Sequence, residues 1–213
     1  MEYFFVEKTA STNLLLQEKL QTELLPSGFV LHTHYQTSGR GQAGNNWETE
    51  AGKNLTFSIL VRPEDLAANK NFILAQAVAV AIKEVLDAQL PATHSEQFKI
   101  KWSNDIYWKE QKIAGILIEN SLKTNVIQSS IIGVGININQ EKFASNAPNP
   151  VSLCQITGQN HDLQRLLTDI CEKSFAYITQ KEKYSNIKRL YFDSLYRKEG
   201  FYAYETPDNH RFE

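Results

Sequence analysis

The chain has 213 residues, 42% hydrophobic and 11% aromatic, with 22 basic against 24 acidic side chains and a net charge of −2. That length suits one large domain or two small ones with a buried core, and the near balance of charge excludes a solvated charged tail and a strongly basic nucleic-acid binder. The most apolar run, 73–82, is interrupted by Gln76 and falls far short of the roughly 20 residues a bilayer crossing needs, so no membrane partner is expected.

The first residues show no basic stretch ahead of an apolar core, which argues against an export signal and for a cytoplasmic location. In chain order, β-type runs rich in branched and aromatic residues stand at 3–8, 29–35, 55–61, 98–102, 105–108, 112–119 and 129–138. Short polar turns such as Lys109-Glu110-Gln111 make neighbouring runs candidates for antiparallel hairpins. Ser11-Thr12-Asn13 precedes an apolar helix face at Leu14, Leu15, Leu16 and Leu20; helical spacing recurs over 71–86, 162–180 and 187–197. Without strict βαβ alternation, this order predicts an α+β fold: a mixed, largely antiparallel sheet flanked by helices. Residues 201–213 read as the start of a further strand. Cys154 and Cys171 lie in core-like segments without zinc spacing, so buried free thiols are expected, with a disulfide as the alternative.

Four segments have compositions that a pure core would not choose. The loop 36–47 follows a strand and carries Gly39, Gly41 and Gly44 with the single cation Arg40; a surface turn and an anion site are both open readings. It lacks the Gly-Lys-Ser/Thr ending of a Walker loop. Lys101-Trp102-Ser103-Asn104-Asp105, followed by Lys112-Ile113-Ala114-Gly115, sets two lysines around an Asn-Asp turn. A plain hairpin is the simpler reading, but Gly115 inside an apolar strand implies close approach to the backbone. Gly133-Val134-Gly135-Ile136-Asn137-Ile138-Asn139 lacks the third glycine of a dinucleotide fingerprint and suggests a strand with one face left open for a flat ligand. Asn137 and Asn139 are expected on that face. Ser11-Thr12-Asn13 is an N-cap or a set of hydrogen-bonding groups for a urea or amide.

Together, in order, Ser11-Thr12-Asn13, Gly39-Arg40-Gly41-Gln42 with Trp47, Gly52-Lys53-Asn54-Leu55, Lys101–Asp105, Lys112–Leu117 and Gly133–Asn137 resemble the biotin protein ligases, over most of the chain. The resemblance implies that biotin and MgATP give biotinyl-5'-AMP and pyrophosphate, and that a lysine of a biotin carboxyl carrier domain then takes the biotinyl group. It implies catalytic roles for Arg40, Lys112, Asp105 and Lys101, with Asp105 orienting the acceptor amine or taking its proton. Biotin contacts are implied for Ser11, Thr12, Asn13, Gln36, Arg40, Gly41, Gln42, Lys112, Gly115, Gly133 and Gly135, and nucleotide contacts for Trp47, Asn104 and Asn137. Mg²⁺ rides on phosphate oxygens in this scheme, with no metal site of the protein's own and no tightly bound cofactor. A homodimer is an analogy only.

Gln42 and Asn45 stand where the family often carries Arg, which implies looser retention of the adenylate; Ser103 stands where Pro is usual. The catalytic-type sequence starts at Tyr3, leaving no room for the helix-turn-helix domain of repressor members, so no DNA partner is expected. The chain stops where the family's C-terminal β-barrel begins. The expected organisation is 1–198 as the catalytic unit and 199–213 as the start of a shortened or incomplete β segment. The competing readings are a lipoate or octanoate ligase and a non-catalytic biotin binder.

Overall fold

The computed structural model describes residues 1–91, 97–144, 149–205 and 211–212. Seven strands form one sheet: β1 (Glu2–Thr9), β2 (Phe29–Gln36), β3 (Leu55–Val61), β4 (Lys99–Lys101), β5 (Asp105–Trp108), β6 (Gln111–Lys123) and β7 (Val126–Ile136). Their spatial order is β1-β2-β3-β7-β6-β5-β4. β1 and β2 are parallel and are joined by helix α1 (Thr12–Thr22), because parallel neighbours need a crossover; every other neighbouring pair is antiparallel. Lys109 and Thr124, at φ 51° and 56°, make the tight turns of the β5–β6 and β6–β7 hairpins. The expected α+β class and mixed sheet are what the chain forms.

Four further helices follow: α2 (Phe72–Asp87), α3 (Leu153–Thr157), α4 (Leu163–Thr179) and α5 (Tyr184–Asp193). α2, α4 and α5 pack on one face of the sheet and α1 on the other. The period of two in the strands divides the side chains between these faces. Phe57, Ile59 and Val61 of β3 and Ile132, Val134 and Ile136 of β7 join the large core beneath α2. Leu60 and Ile131 join Phe29, Leu31 and Leu16 beneath α1. Each fully buried Leu or Ile contributes about 1.5–3 kcal/mol, so the two-sided burial of β3 anchors the molecule. No helix among the described residues is long and apolar enough to cross a membrane.

Several features differ from the sequence reading, among them the longer β6 and the earlier start of β7. The helix expected over 187–197 starts at Tyr184 and stops at Asp193, because the backbone beyond it pairs with β4: Ile100 N–H donates to Ser194 and Tyr196 N–H to Ile100. β7 ends at Ile136, since Asn137 turns its amide to the Val151 carbonyl at 3.1 Å, so Asn137 and Asn139 do not continue the face of Gly135. α3 was not expected; it is short, but Ser152 and Gln155 close a full capping box at its start. The end of the chain contains the short paired strands β8 (Tyr204–Glu205) and β9 (Arg211–Phe212). Cys154 and Cys171 are both buried free thiols, and no disulfide joins them.

Candidate functional site

One cleft opens on the α1 side of the sheet. Its floor follows from strand pairing. Ser58 of β3, Gly133 of β7 and Leu117 of β6 lie in one cross-strand row, and Thr56, Gly135 and Gly115 in the next. The missing Cβ atoms are used at once: a Cβ on Gly133 would strike the Asn13 side chain, and one on Gly135 would strike the indole of Trp47.

The start of α1 builds the polar end of the cleft. Ser11 holds the N-cap position, yet its hydroxyl makes no capping bond, and Gln36 satisfies the helix start instead by accepting from Thr12 N–H at 2.7 Å. Ser58 Oγ lies 2.8 Å from Thr12 Oγ1 and 2.6 Å from Asn13 Oδ1. Asn13 Nδ2 donates to Glu119 Oε2 at 2.7 Å. Ser11, Thr12, Asn13 and Ser58 are all buried, so this network is fixed before any ligand arrives.

The glycine loop forms the wall. Trp47 N–H donates to the Gly39 carbonyl at 2.9 Å, and Arg40 and Asn46 form a backbone bridge, which folds the loop back over the floor. A Cβ on Gly39 would lie 2.6 Å from the Trp47 carbonyl, so that position requires glycine. The fold aims Arg40 at the cleft, where its Nη2 lies 3.1 Å from Glu119 Oε1. The Trp47 indole rests on Gly135 and Gly115, and its buried N–H has no partner among the described residues. An unmade hydrogen bond of this kind costs about 1–3 kcal/mol, which a ligand acceptor would offset.

Lys112 is the second cation of the cleft. Its Nζ lies 2.7 Å from Asp105 Oδ1 and 5.7 Å from the Trp47 ring centre. Asp105 is the register partner of Gly115, which brings the β5 carboxylate beside the floor. Asn104 also lines the cleft, anchored by donating to the Ile116 carbonyl at 2.7 Å. Both cations are therefore held by one carboxylate each in partly exposed pairs that an incoming anion can exchange.

Of the residues named from sequence, Ser11, Thr12, Asn13, Gln36, Arg40, Gly41, Gln42, Trp47, Asn104, Lys112, Gly115, Gly133 and Gly135 line this one cleft. Asp105 touches it through Lys112. Lys101 does not line it; its ammonium donates to the Tyr107 hydroxyl at 3.1 Å and lies over that ring. Asn137 is buried on Val151 and is also outside the lining. The sequence reading missed Glu119, Ser58 and Thr56. Strand periodicity carried the signal, since Glu119 is four residues after Gly115 and Ser58 is two after Thr56.

Among the described residues, no group of three His, Cys, Asp or Glu side chains is placed to hold a metal ion. Burial pushes the Cys171 thiol well above its usual range, which makes it a poor nucleophile. The cleft thus offers hydrogen-bonding groups at one end, a flat floor, and two exchangeable cations beside an aromatic wall. That set can hold an amide-like ring and draw two anionic groups together.

A sequence pattern described as the biotin/lipoate A/B protein ligase family matches residues 5–137. The chain is 29% identical over 166 residues to the bifunctional ligase/repressor BirA of Bacillus spizizenii, covering 76% of this chain and 49% of that protein. It therefore spans about half the length of this relative. It is 32% identical to the biotin--[acetyl-CoA-carboxylase] ligase of Paracoccus denitrificans, covering 79% of this chain and 69% of that protein. The biotin protein ligase of Aquifex aeolicus, solved in complex with biotin and ATP, superposes with a TM-score of 0.74 at 26% identity, over 91% of this chain and 78% of that one. With the pattern matched over more than half its length and a relative of that identity covered over most of its own, the chain belongs to the biotin/lipoate A/B protein ligase family.

Proposed function

We propose that the chain activates biotin with MgATP as biotinyl-5'-AMP and transfers the biotinyl group to a lysine of a biotin carboxyl carrier domain, in the cytoplasm. The observation that carries this reading is the arrangement of one cleft: the Ser11, Thr12, Asn13 and Gln36 end, the glycine floor, and Arg40 with Lys112 at the other side. Names of relatives support it, since the Paracoccus denitrificans relative is a biotin--[acetyl-CoA-carboxylase] ligase and the Aquifex aeolicus structure holds biotin and ATP.

In the first step a biotin carboxylate oxygen attacks the α-phosphorus, the bond to the bridging oxygen breaks, and pyrophosphate leaves. The two anions repel each other, so Arg40 and Lys112 act by neutralising them and stabilising charge on the α-phosphoryl oxygens. Ser11, Thr12, Asn13 and Gln36 hold the ureido ring, which positions the carboxylate at the cations. Trp47 covers the junction, Asn104 meets the nucleotide, and magnesium enters as part of MgATP. In the second step a neutral lysine amine attacks the biotinyl carbonyl and AMP leaves. Asp105, beside Lys112, orients that amine and takes the proton it gives up as the amide forms. Residues 1–198 are the proposed catalytic unit.

The test is incubation of the chain with biotin, MgATP and a biotin carboxyl carrier domain, read by mass spectrometry of the carrier. One biotinyl group on one lysine is the expected product. A carrier left unmodified while an added lipoyl acceptor domain becomes lipoylated would replace the substrate in this reading.

A further inference from the structure

Glu119 lies on the glycine-bearing face of β6, two residues beyond Leu117, and ties Asn13 to Arg40. Its Oε1 and Oε2 lie 3.1 and 3.2 Å from Arg40 Nη2, and its Oε2 also accepts from Asn13 Nδ2 at 2.7 Å. Neither Glu119 nor Arg40 is deeply buried, at 38% and 39% side-chain exposure. A single guanidinium nitrogen carries both contacts to the carboxylate, so the pair is not the two-pronged fork in which Arg binds oxyanions most strongly. A ligand presenting two oxygens in a plane therefore has better geometry to offer than Glu119 does.

We infer that Glu119 is a positioning residue that holds Arg40 in the ligand-free cleft and weakens the cleft's affinity for polyanions until the guanidinium is exchanged onto one. This rests on the reading of Arg40 as the contact for an anionic group of the substrates. Two consequences follow from one carboxylate. It fixes where Arg40 waits, and it sets a like charge in the path of a phosphate, so a polyanion must both displace it and overcome its repulsion. Glu119 also orients Asn13. Because Asn13 Oδ1 is taken up by Ser58 and its Nδ2 by Glu119, the amide has a fixed direction. Gln at 119 keeps an acceptor oxygen for Asn13 and loses the charge.

The experiment is calorimetric titration of the full chain with inorganic pyrophosphate, and separately with biotin, for wild type, Glu119→Gln, Arg40→Ala and the double variant. Glu119→Gln is expected to bind pyrophosphate about tenfold tighter at low ionic strength, the gain vanishing in the Arg40→Ala background. A merely structural role predicts the opposite sign, because damage to the cleft weakens binding. Pyrophosphate affinity that is unchanged or lower in a folded Glu119→Gln, or absent in wild type and variant alike, overturns the inference; if that variant does not fold, Glu119→Ala carries the same expectation for pyrophosphate alone, since it also removes the acceptor of Asn13. The pyrophosphate readout needs no biotin. A chain that gave the gain but bound no biotin would sink the functional reading and keep the role of Glu119.

Discussion

Gly133 and Asn13 show how finely single residues set this cleft. A Cβ at Gly133 has nowhere to go except into Asn13, whose amide is held on both sides by Ser58 and Glu119. Gly133→Ala is expected to lower biotin affinity by at least about tenfold, the loss of one well-placed polar contact, and to cost about 1–3 kcal/mol of stability from the overpacking. Calorimetry on the purified variant checks this, and unaltered affinity would detach Asn13 from ligand binding. Arg40 and Lys112 act where charge develops, so Lys112→Ala and Arg40→Gly should each cut adenylate formation by about 10²–10³ in a pyrophosphate-release assay. Normal rates in both would remove the cations from the chemistry. At this scale most of the cleft was legible because odd residue choices stand out: glycines inside apolar strands, an arginine alone in a glycine loop. Glu119 was not. A charge at the end of a strand looks like a solvated edge until Gly115, Leu117 and Glu119 are placed on one face. Asn137 lies outside the cleft lining for the converse reason, since its side chain is spent on the Val151 carbonyl and the strand has ended before it.

Elements hold the site in register through a few polar ties. The Tyr191 hydroxyl of α5 donates to the Ser103 carbonyl at 3.1 Å, pinning the turn that carries Asn104. Burial pushes that phenol up to about 12, so the tie persists as a neutral donor throughout the physiological range. Tyr191→Phe should cost about 1 kcal/mol in urea unfolding, and a larger loss of adenylation than of stability would show that the turn is being positioned. β2 makes a pH-dependent contribution. Burial, then the neighbouring His34, lowers the pKa of His32 below 6.5. The unfolded chain therefore binds the proton more readily, so this stability is present above about pH 6.5 and is lost as pH falls below it. The melting temperature should drop on going from pH 7 to 5, and His32→Asn should flatten that drop; an identical slope in the variant would exclude His32 as a source. The strand spans 55–61 and 105–108 coincided with the sequence reading because each is a dense apolar run bounded by turn residues. The end of α5 did not, because its last expected turn is drawn off to pair with β4, a tertiary contact that no local pattern announces.

Across the whole molecule, the sheet order explains why residues from 11 to 135 meet. The crossover through α1 returns the chain beside β1, and β3 then pairs with β7, far along the sequence, so the Ser11-Thr12-Asn13 turn, the glycine loop and the Gly133 and Gly135 strand converge on one face. Helices α2, α4 and α5 occupy the opposite face, and α1 packs on the cleft side. The α+β class was legible from the order of runs; the pairing of β3 with β7 was not, because long-range antiparallel partners carry no local signal. The central claim concerns what this assembled cleft does with biotin. Its most direct test is biotin-dependent ATP–pyrophosphate exchange on the 213-residue chain, beside lipoate and octanoate, with mass spectrometry of the acyl adenylate. Exchange driven by biotin, with biotinyl-5'-AMP detected, is the predicted result. Exchange driven by lipoate or octanoate instead, or none with any of the three acids, would contradict the account.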